Sequence, residues 1–233
     1  MEQRTLARPR SEIVVNEFVR SVYNWMAGGL ALTGFMAFYV SKDVNMLRAI
    51  ASPLVQIILF VAIIGLVFSI SGMINRMSAA TATCLFVIYS ALMGVFLAPI
   101  FIIYTHASIA STFFICAGTF VGCSIYGWTT RRDLTSLGGF MMMGLIGIII
   151  ASVVNIFIRS SGLYYMISYI GVVVFVGLTA YDTQKLKNMA LTQPAGLDGA
   201  VMRKGAILGA LALYLDFINL FLMLLRIFGQ GRD

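Results

Sequence analysis

The sequence is poor in charge and in the residues that most often build catalytic and metal sites. Of 233 residues, only 11% are charged, and His106 is the single histidine. A soluble domain carries about 25% charged residues. The sequence shows no His/Glu cluster and no zinc spacing, which argues against metal-dependent hydrolysis. Cys84, Cys116 and Cys123 all fall in apolar runs, so we expect inert packing residues.

The first 22 residues lack the apolar core of a secretory signal peptide. They carry charges throughout, at Arg4, Arg8, Arg10, Glu12, Glu17 and Arg20. We therefore expect Met1–Val22 to form a polar amino-terminal tail, with the membrane domain in residues 23–233.

Apolar residues are abundant, at 60% of the chain, and the mean hydropathy is +0.95. A transmembrane helix needs about 20 apolar residues to cross a hydrocarbon core about 30 Å thick. Because the apolar runs are continuous, they favour helices over a barrel. The sequence therefore predicts an all-α integral membrane protein in a lipid bilayer, with seven transmembrane helices: Tyr23–Val40, Leu54–Ile74, Ala79–Tyr104, Ala107–Trp128, Leu137–Ile158, Leu163–Tyr181 and Gly205–Phe228.

The net charge of +7 reflects membrane topology, not a nucleic-acid partner. Short loops rich in Lys and Arg stay in the cytoplasm. The amino terminus and the loops on its side carry eleven of the 16 basic residues, and the other side carries five. We therefore predict a cytoplasmic amino terminus and, with seven crossings, an external carboxyl terminus. A re-entrant seventh segment would return the carboxyl terminus to the cytoplasm.

Two aspartates, Asp182 and Asp216, lie at the end of the sixth apolar run and inside the seventh. An ionisable group in the hydrocarbon layer costs on the order of 3 kcal/mol and is retained mainly where it faces a bundle interior with a partner. Two carboxyl groups held close in a low dielectric are expected to share a proton. The pair is therefore a candidate pH switch that needs no histidine.

Other chemistries that use such helices fit less well. A retinal protein needs a lysine in its last helix, and Gly205–Phe228 contains none. An intramembrane aspartyl protease has Gly-x-Gly before its second aspartate, whereas residues 213–215 here are Leu-Tyr-Leu. We therefore expect no enzyme. A proton-coupled transporter remains open, as does an acid pair that only fixes helix packing.

Two linked motifs carry a family resemblance. The stretch from Gly177 to Gln184 reads GLTAYDTQ, and the stretch from Leu213 to Phe221 reads LYLDFINLF. Together with the length and the apolar runs, they closely resemble the transmembrane Bax inhibitor motif family. The resemblance implies six helices around a central seventh, and a pH-sensitive calcium leak in the inner membrane governed by paired aspartates. Bacterial members also include an inhibitor of a membrane-embedded, ATP-dependent protease.

The resemblance also assigns residues. The paired acids correspond to Asp182 and Asp216, and an arginine ten residues after the second corresponds to Arg226. Arg76, matched by position alone, corresponds to a latch arginine near the end of the second helix. The sequence departs from the family in two ways: no acid lies in the second apolar run, and the stretch Asn188–Lys204 is long.

Calcium prefers six to eight oxygen ligands. The two aspartates supply at most four carboxylate oxygens, so we expect weak calcium binding suited to passage, and no other cofactor. Asn219, Thr179 and Thr183 are candidate polar pore-lining residues. As an alternative function, the tail Met1–Val22 is expected to bind a membrane protease complex.

Counting along the sequence from the nearest lysines places the two aspartates at different depths in the membrane. Asp182 lies three residues before Lys185, about 5 Å along a helix, and Asp216 lies twelve residues after Lys204, about 18 Å along. If both lysines mark one membrane surface, the carboxyl groups meet only when one helix extends past that surface.

Overall fold

The computed structural model describes residues 3–192 and 198–231, with side chains from Val15 onward. All regular structure in these residues is helical, which confirms the all-α class. The helices are α1 Gln3–Ser41, α2 Val44–Ile50, α3 Pro53–Met73, α4 Ala79–Leu97, α5 Ile100–Ile103, α6 His106–Thr129, α7 Thr135–Ile158, α8 Ser161–Thr192 and α9 Gly199–Phe228.

Within the described residues, six helical segments are long and apolar enough to cross a membrane. They are α3, the α4–α5 segment Ala79–Ile103, α6, α7, α8 and α9. The predicted first crossing, Tyr23–Val40, forms the second part of α1 and is about 27 Å long. It is not among the six, because polar residues and glycines such as Asn24, Gly28 and Thr33 dilute its apolar character.

The bounds of the last two predicted crossings differ from those of α8 and α9, the helices that contain them. Helix α8 continues eleven residues past Tyr181, and α9 begins six residues before Gly205. Lys185 and Lys187 interrupt the apolar run, but lysine is a good helix former, so the helix does not stop there. Most of the predicted long connection Asn188–Lys204 is therefore helical, while Pro194 and Gly196 lie outside the described residues.

Helix α9 is continuous from Gly199 to Phe228 and is about 45 Å long. Helix continues through Asp216 and Asn219, the residues that lower its hydrophobicity. A re-entrant segment needs a break in the chain direction, and α9 has none. The continuous helix therefore favours a full crossing over the re-entrant alternative, and the crossing itself stays a prediction.

The chain divides into two compact units: Met1–Ile103 with Lys187–Tyr214, called unit 1, and Tyr104–Leu186 with Leu215–Asp233, called unit 2. In unit 1, the Thr33 hydroxyl donates to the carbonyl oxygen of Ser90 at 2.8 Å and lies 2.6 Å from the Tyr214 hydroxyl. Because the single Thr33 proton is directed to a carbonyl, Tyr214 is the donor to Thr33. This buried polar contact joins α1, α4 and the first half of α9.

In unit 2, glycines allow close packing around α8. A Cβ at Gly127 of α6 would overlap the carbonyl group of Ala180, and one at Gly138 of α7 would overlap the ring of Tyr181. The GxxxG spacing Gly118-x-x-x-Gly122 on α6 behaves differently: both glycines are exposed, and an added Cβ would have no described neighbour within 4 Å. Among the described residues, this spacing therefore does not mark a packed face of α6.

Candidate functional site

Asp182 of α8 and Asp216 of α9 form the centre of the candidate site in unit 2. Asp216 is 5% exposed, and Asp182 is half-buried. Their carboxyl groups are close enough to interact electrostatically. The exposed Lys185, one turn after Asp182, also acts on that carboxyl group.

The register between the two helices explains how residues predicted at different depths meet. Arg226 lies over Tyr164, and Met223 contacts Gly171, so residue numbers rise along α8 as they fall along α9. The helices are therefore antiparallel. Asp182 lies eleven residues after Gly171, and Asp216 lies seven residues before Met223, so the two aspartates are offset by four residues, about 6 Å along the paired helices. The depth conflict disappears because α8 continues past Lys185.

One oxygen of Asp216 is unsatisfied. No described residue donates a hydrogen bond to Oδ2, although the atom is buried. The next residue, Phe217, packs edge-on against Phe113 and Phe120 of α6, each at 5.5 Å between ring centroids, and so fixes this part of α9 against α6. A buried acceptor without a donor costs about 1–3 kcal/mol. A proton or a cation at this oxygen would remove that cost.

The three predicted polar lining residues have different bonding. Thr179 donates to the carbonyl oxygen of Phe175 at 2.7 Å within α8, the common use of such a hydroxyl in a helix. Thr183 donates to the Ser124 hydroxyl of α6 at 3.4 Å. The Asn219 amide donates to the carbonyl oxygen of Leu215 at 2.8 Å, which leaves its Oδ1 as an acceptor. A pore-lining role for them stays a prediction.

The two predicted arginines lie in different units. The Arg226 guanidinium lies 5.0 Å from the centroid of the Tyr164 ring. It is ten residues from Asp216, about 15 Å along α9. Arg76 is exposed in the connection between α3 and α4, in unit 1. Their roles as latch or charge partner stay predictions.

Gln184 has a positioning role that the sequence did not reveal. Its Oε1 accepts from the backbone N–H of Leu134 at 2.8 Å, and its Nε2 donates to the carbonyl oxygen of Arg132 at 2.8 Å. The side chain therefore fixes the α6–α7 connection to α8, two residues after Asp182. The available signal was a polar amide within the GLTAYDTQ motif.

The acid pair is too small to form a complete metal site on its own. Among the described residues, no group of three or more His, Cys, Asp or Glu side chains could hold a metal ion. Two carboxyl groups, the Asn219 oxygen and water would give a weak calcium site. The predicted calcium ligands Asp182 and Asp216 therefore stay a prediction.

Sequence comparison supplies the deciding observation. The family model described as inhibitor of apoptosis-promoting Bax1 matches residues 15–233. The chain belongs to this family. The match confirms the resemblance drawn from the two motifs and includes both aspartates, Arg76 and Arg226.

Bacterial relatives align with nearly the whole length of this chain. Inner membrane protein YbhL of Escherichia coli K12 is 51% identical over 231 residues, which cover 96% of this chain and 98% of YbhL. A Borreliella burgdorferi protein is 47% identical, with 98% of each chain covered. An uncharacterized membrane protein of Streptococcus pyogenes serotype M6 is 35% identical, with 95% of this chain and 96% of the relative covered.

Proposed function

We propose that the protein is a pH-sensitive calcium leak channel of the inner membrane, gated by Asp182 and Asp216. The observation that carries the proposal is an interacting carboxyl pair, half-buried at Asp182 and buried at Asp216, with an unsatisfied oxygen at Asp216. Membership of the Bax inhibitor family supports it. The inner membrane is proposed because YbhL, the Escherichia coli relative, is an inner membrane protein.

The proposed architecture has seven crossings with α9 at the centre and the amino terminus in the cytoplasm. Burial supports the central position: 72% of the apolar window of α9 is buried, against 11–44% for the other five segments. Six crossings are the six apolar segments given above, and the additional crossing is the second part of α1, Tyr23–Val40. Its length of about 27 Å is close to the hydrocarbon thickness of about 30 Å.

The gate works by competition for the carboxyl pair. When the pair shares a proton it carries one negative charge, and loss of that proton doubles the charge in a low dielectric. A guanidinium is a good partner for such a pair, and Arg76 is the proposed latch of the closed state. A proton or a calcium ion that binds the carboxyl groups competes with the latch and shifts the population toward the open state.

Calcium flux from liposomes tests this function. Asp182→Asn and Asp216→Asn keep the side-chain shape but hold no titrating proton, so each is expected to abolish the change of flux with pH. Asp133→Asn is the matched control, because Asp133 is an exposed aspartate in the α6–α7 connection. Wild-type pH dependence in both site variants would overturn the proposal.

A second candidate function is inhibition of a membrane-embedded protease through the amino-terminal tail. The observation that favours it is that α1 begins at Gln3, so the described part of the tail is a helix that continues into the rest of α1. Deleting residues 1–14 keeps the buried Val15, Phe18 and Val22. The deletion spares calcium flux under the first function and abolishes protease inhibition under the second.

A further inference from the structure

Unit 1 contains a pocket of about 290 Å³ that takes no part in the acid-pair site. It lies between the amino-terminal part of α1 and the first turns of α9. Seven residues line it: Glu17, Phe18, Ser21, Trp25, Gly199, Met202 and Arg203.

The pocket combines opposite charges with an apolar wall. Glu17 of α1 and Arg203 of α9 are both exposed, and they place an acid and a base on different helices around one space. Phe18, 1% exposed, is the most deeply buried aromatic residue of the wall. The start of α9 is capped by Asp198, which accepts from the backbone N–H of Ala200 at 3.1 Å, so Arg203 supplies the positive charge of the pocket. The chemistry suits a ligand that carries a cation, an anion and an apolar part.

The pocket lies where the apolar runs begin. Trp25 is two residues after Tyr23, the start of the first run, and Arg203 is two residues before Gly205, the start of the last. Trp is enriched where hydrocarbon meets water. The starts of the two predicted apolar runs are where a chain enters the headgroup layer, which favours a membrane lipid as the occupant of the pocket.

We propose that this pocket binds the headgroup of an amine-bearing zwitterionic phospholipid, phosphatidylethanolamine. The ammonium group pairs with Glu17, and the phosphate pairs with Arg203. The glycerol end of the lipid contacts Trp25 and Met202. The volume of about 290 Å³ holds about ten water molecules at roughly 30 Å³ each, which is enough for phosphoethanolamine but not for the acyl chains.

The charges also determine which lipids are rejected. A primary ammonium has three N–H donors for the Glu17 carboxylate, whereas the quaternary ammonium of phosphatidylcholine has none. Phosphatidylglycerol has no cation, so its phosphate would approach Arg203 with Glu17 repelling it. The expected order of binding is phosphatidylethanolamine first, with the choline and glycerol lipids clearly weaker.

Trp25 reports on its own pocket. The chain has two tryptophans, so the Trp128→Phe variant leaves Trp25 as the single indole fluorophore. This full-length variant is reconstituted in vesicles of unbrominated phosphatidylcholine. Acyl-brominated phosphatidylethanolamine, phosphatidylcholine or phosphatidylglycerol is added at equal mole fractions, and quenching of Trp25 is measured. Half-maximal quenching is expected at a mole fraction at least threefold lower for the ethanolamine lipid.

Three further variants, each made in the Trp128→Phe background, decide the assignment. Glu17→Gln is expected to remove the preference for ethanolamine over choline, and Arg203→Gln to weaken quenching by both lipids at least threefold. Arg20→Gln is the matched control, because Arg20 is an exposed arginine of α1 that does not line the pocket. Equal quenching by all three lipids, stronger quenching by phosphatidylglycerol, or an unchanged preference in Glu17→Gln would each overturn the proposal.

Discussion

At the scale of single residues, Tyr104 shows how the end of α9 is held. It lies in the connection between α5 and α6, outside the apolar segments. Burial raises the pKa of Tyr104 to about 12, and the neighbouring Tyr164 phenol raises it further than the Arg226 guanidinium lowers it. The same cluster includes Gly229, where a Cβ would overlap the Tyr104 ring. The neutral phenol is therefore the form that the fold accommodates.

A pH dependence follows from this raised pKa. The unfolded chain has a tyrosine pKa of about 10. The stabilisation from neutral Tyr104 is therefore complete below about pH 10 and is lost as the pH rises from there through about 12. Thermal unfolding in detergent across this range is expected to show a smaller loss of Tm for Tyr104→Phe than for the wild type. Tyr39→Phe, at a tyrosine that is 59% exposed, serves as control and is expected to follow the wild type.

The sequence reveals residues whose burial is costly, but not polar residues whose partners are backbone groups far away in the chain. Asp182 and Asp216 were found because a carboxyl group within an apolar run is costly. Gln184 was missed, because its partners are backbone groups at Leu134 and Arg132, about 50 positions away in the chain. The sequence does not show which backbone groups will lie near a given side chain.

At the scale of helices, the glycines that matter are not those in the recognisable motif. Gly127 approaches the backbone of α8 at Ala180, whereas Gly118 has open space where its side chain would be. A GxxxG spacing indicates that close approach is possible, but not which face has a neighbour. Only the packing of α6 against α8 decides that.

The two glycines make a matched pair of substitutions. Gly127→Ala places a methyl group against the Ala180 carbonyl group, and such overpacking costs about 1–3 kcal/mol. Gly118→Ala meets no neighbour within 4 Å and is expected to be neutral or to stabilise the helix by up to about 1 kcal/mol. Thermal unfolding of the two variants in detergent measures the difference. A Tm for Gly127→Ala equal to that of Gly118→Ala would contradict the packing described for α6 and α8.

Helix ends were the least predictable feature at this scale. Charged residues mark where a chain leaves the hydrocarbon layer, but Lys185 and Lys187 lie well inside α8. The short α2 was also not predicted. It begins where Asp43 accepts hydrogen bonds from the backbone N–H groups of Asn45 and Met46, a local cap within a polar connection.

At the scale of the whole chain, topology is the property that the sequence predicts through charge. Eleven of 16 basic residues lie on the predicted cytoplasmic side. Within unit 2, the end of α9 is tied to the α5–α6 connection, because the backbone N–H of Thr105 donates to the carbonyl oxygen of Gln230 at 3.1 Å. These two points therefore lie on one side of the membrane.

Reporter fusions test whether the second part of α1 crosses. Alkaline phosphatase is active only outside the cytoplasm, so a fusion after Asp233, through a flexible spacer, is expected to be active. A fusion truncated after Thr192, at the end of α8, is expected to be inactive. If the full-length fusion is inactive and a fluorescent protein at the same place is bright, Tyr23–Val40 does not cross and the protein has six crossings.

The contacts around α8 differ in stiffness. At Gly127 the neighbour is the Ala180 backbone, which cannot yield, whereas Gly177 and Gly171 are covered by the flexible thioether chains of Met141 and Met223. A displacement of α8 therefore meets least resistance when it pivots about Ala180, with the methionines following the moving surface. Asp182 lies two residues from that pivot, so its carboxyl group would turn without travelling far. In the proposed gate, proton exchange at Asp182 would then move the distant end of α8 further than Asp182 itself.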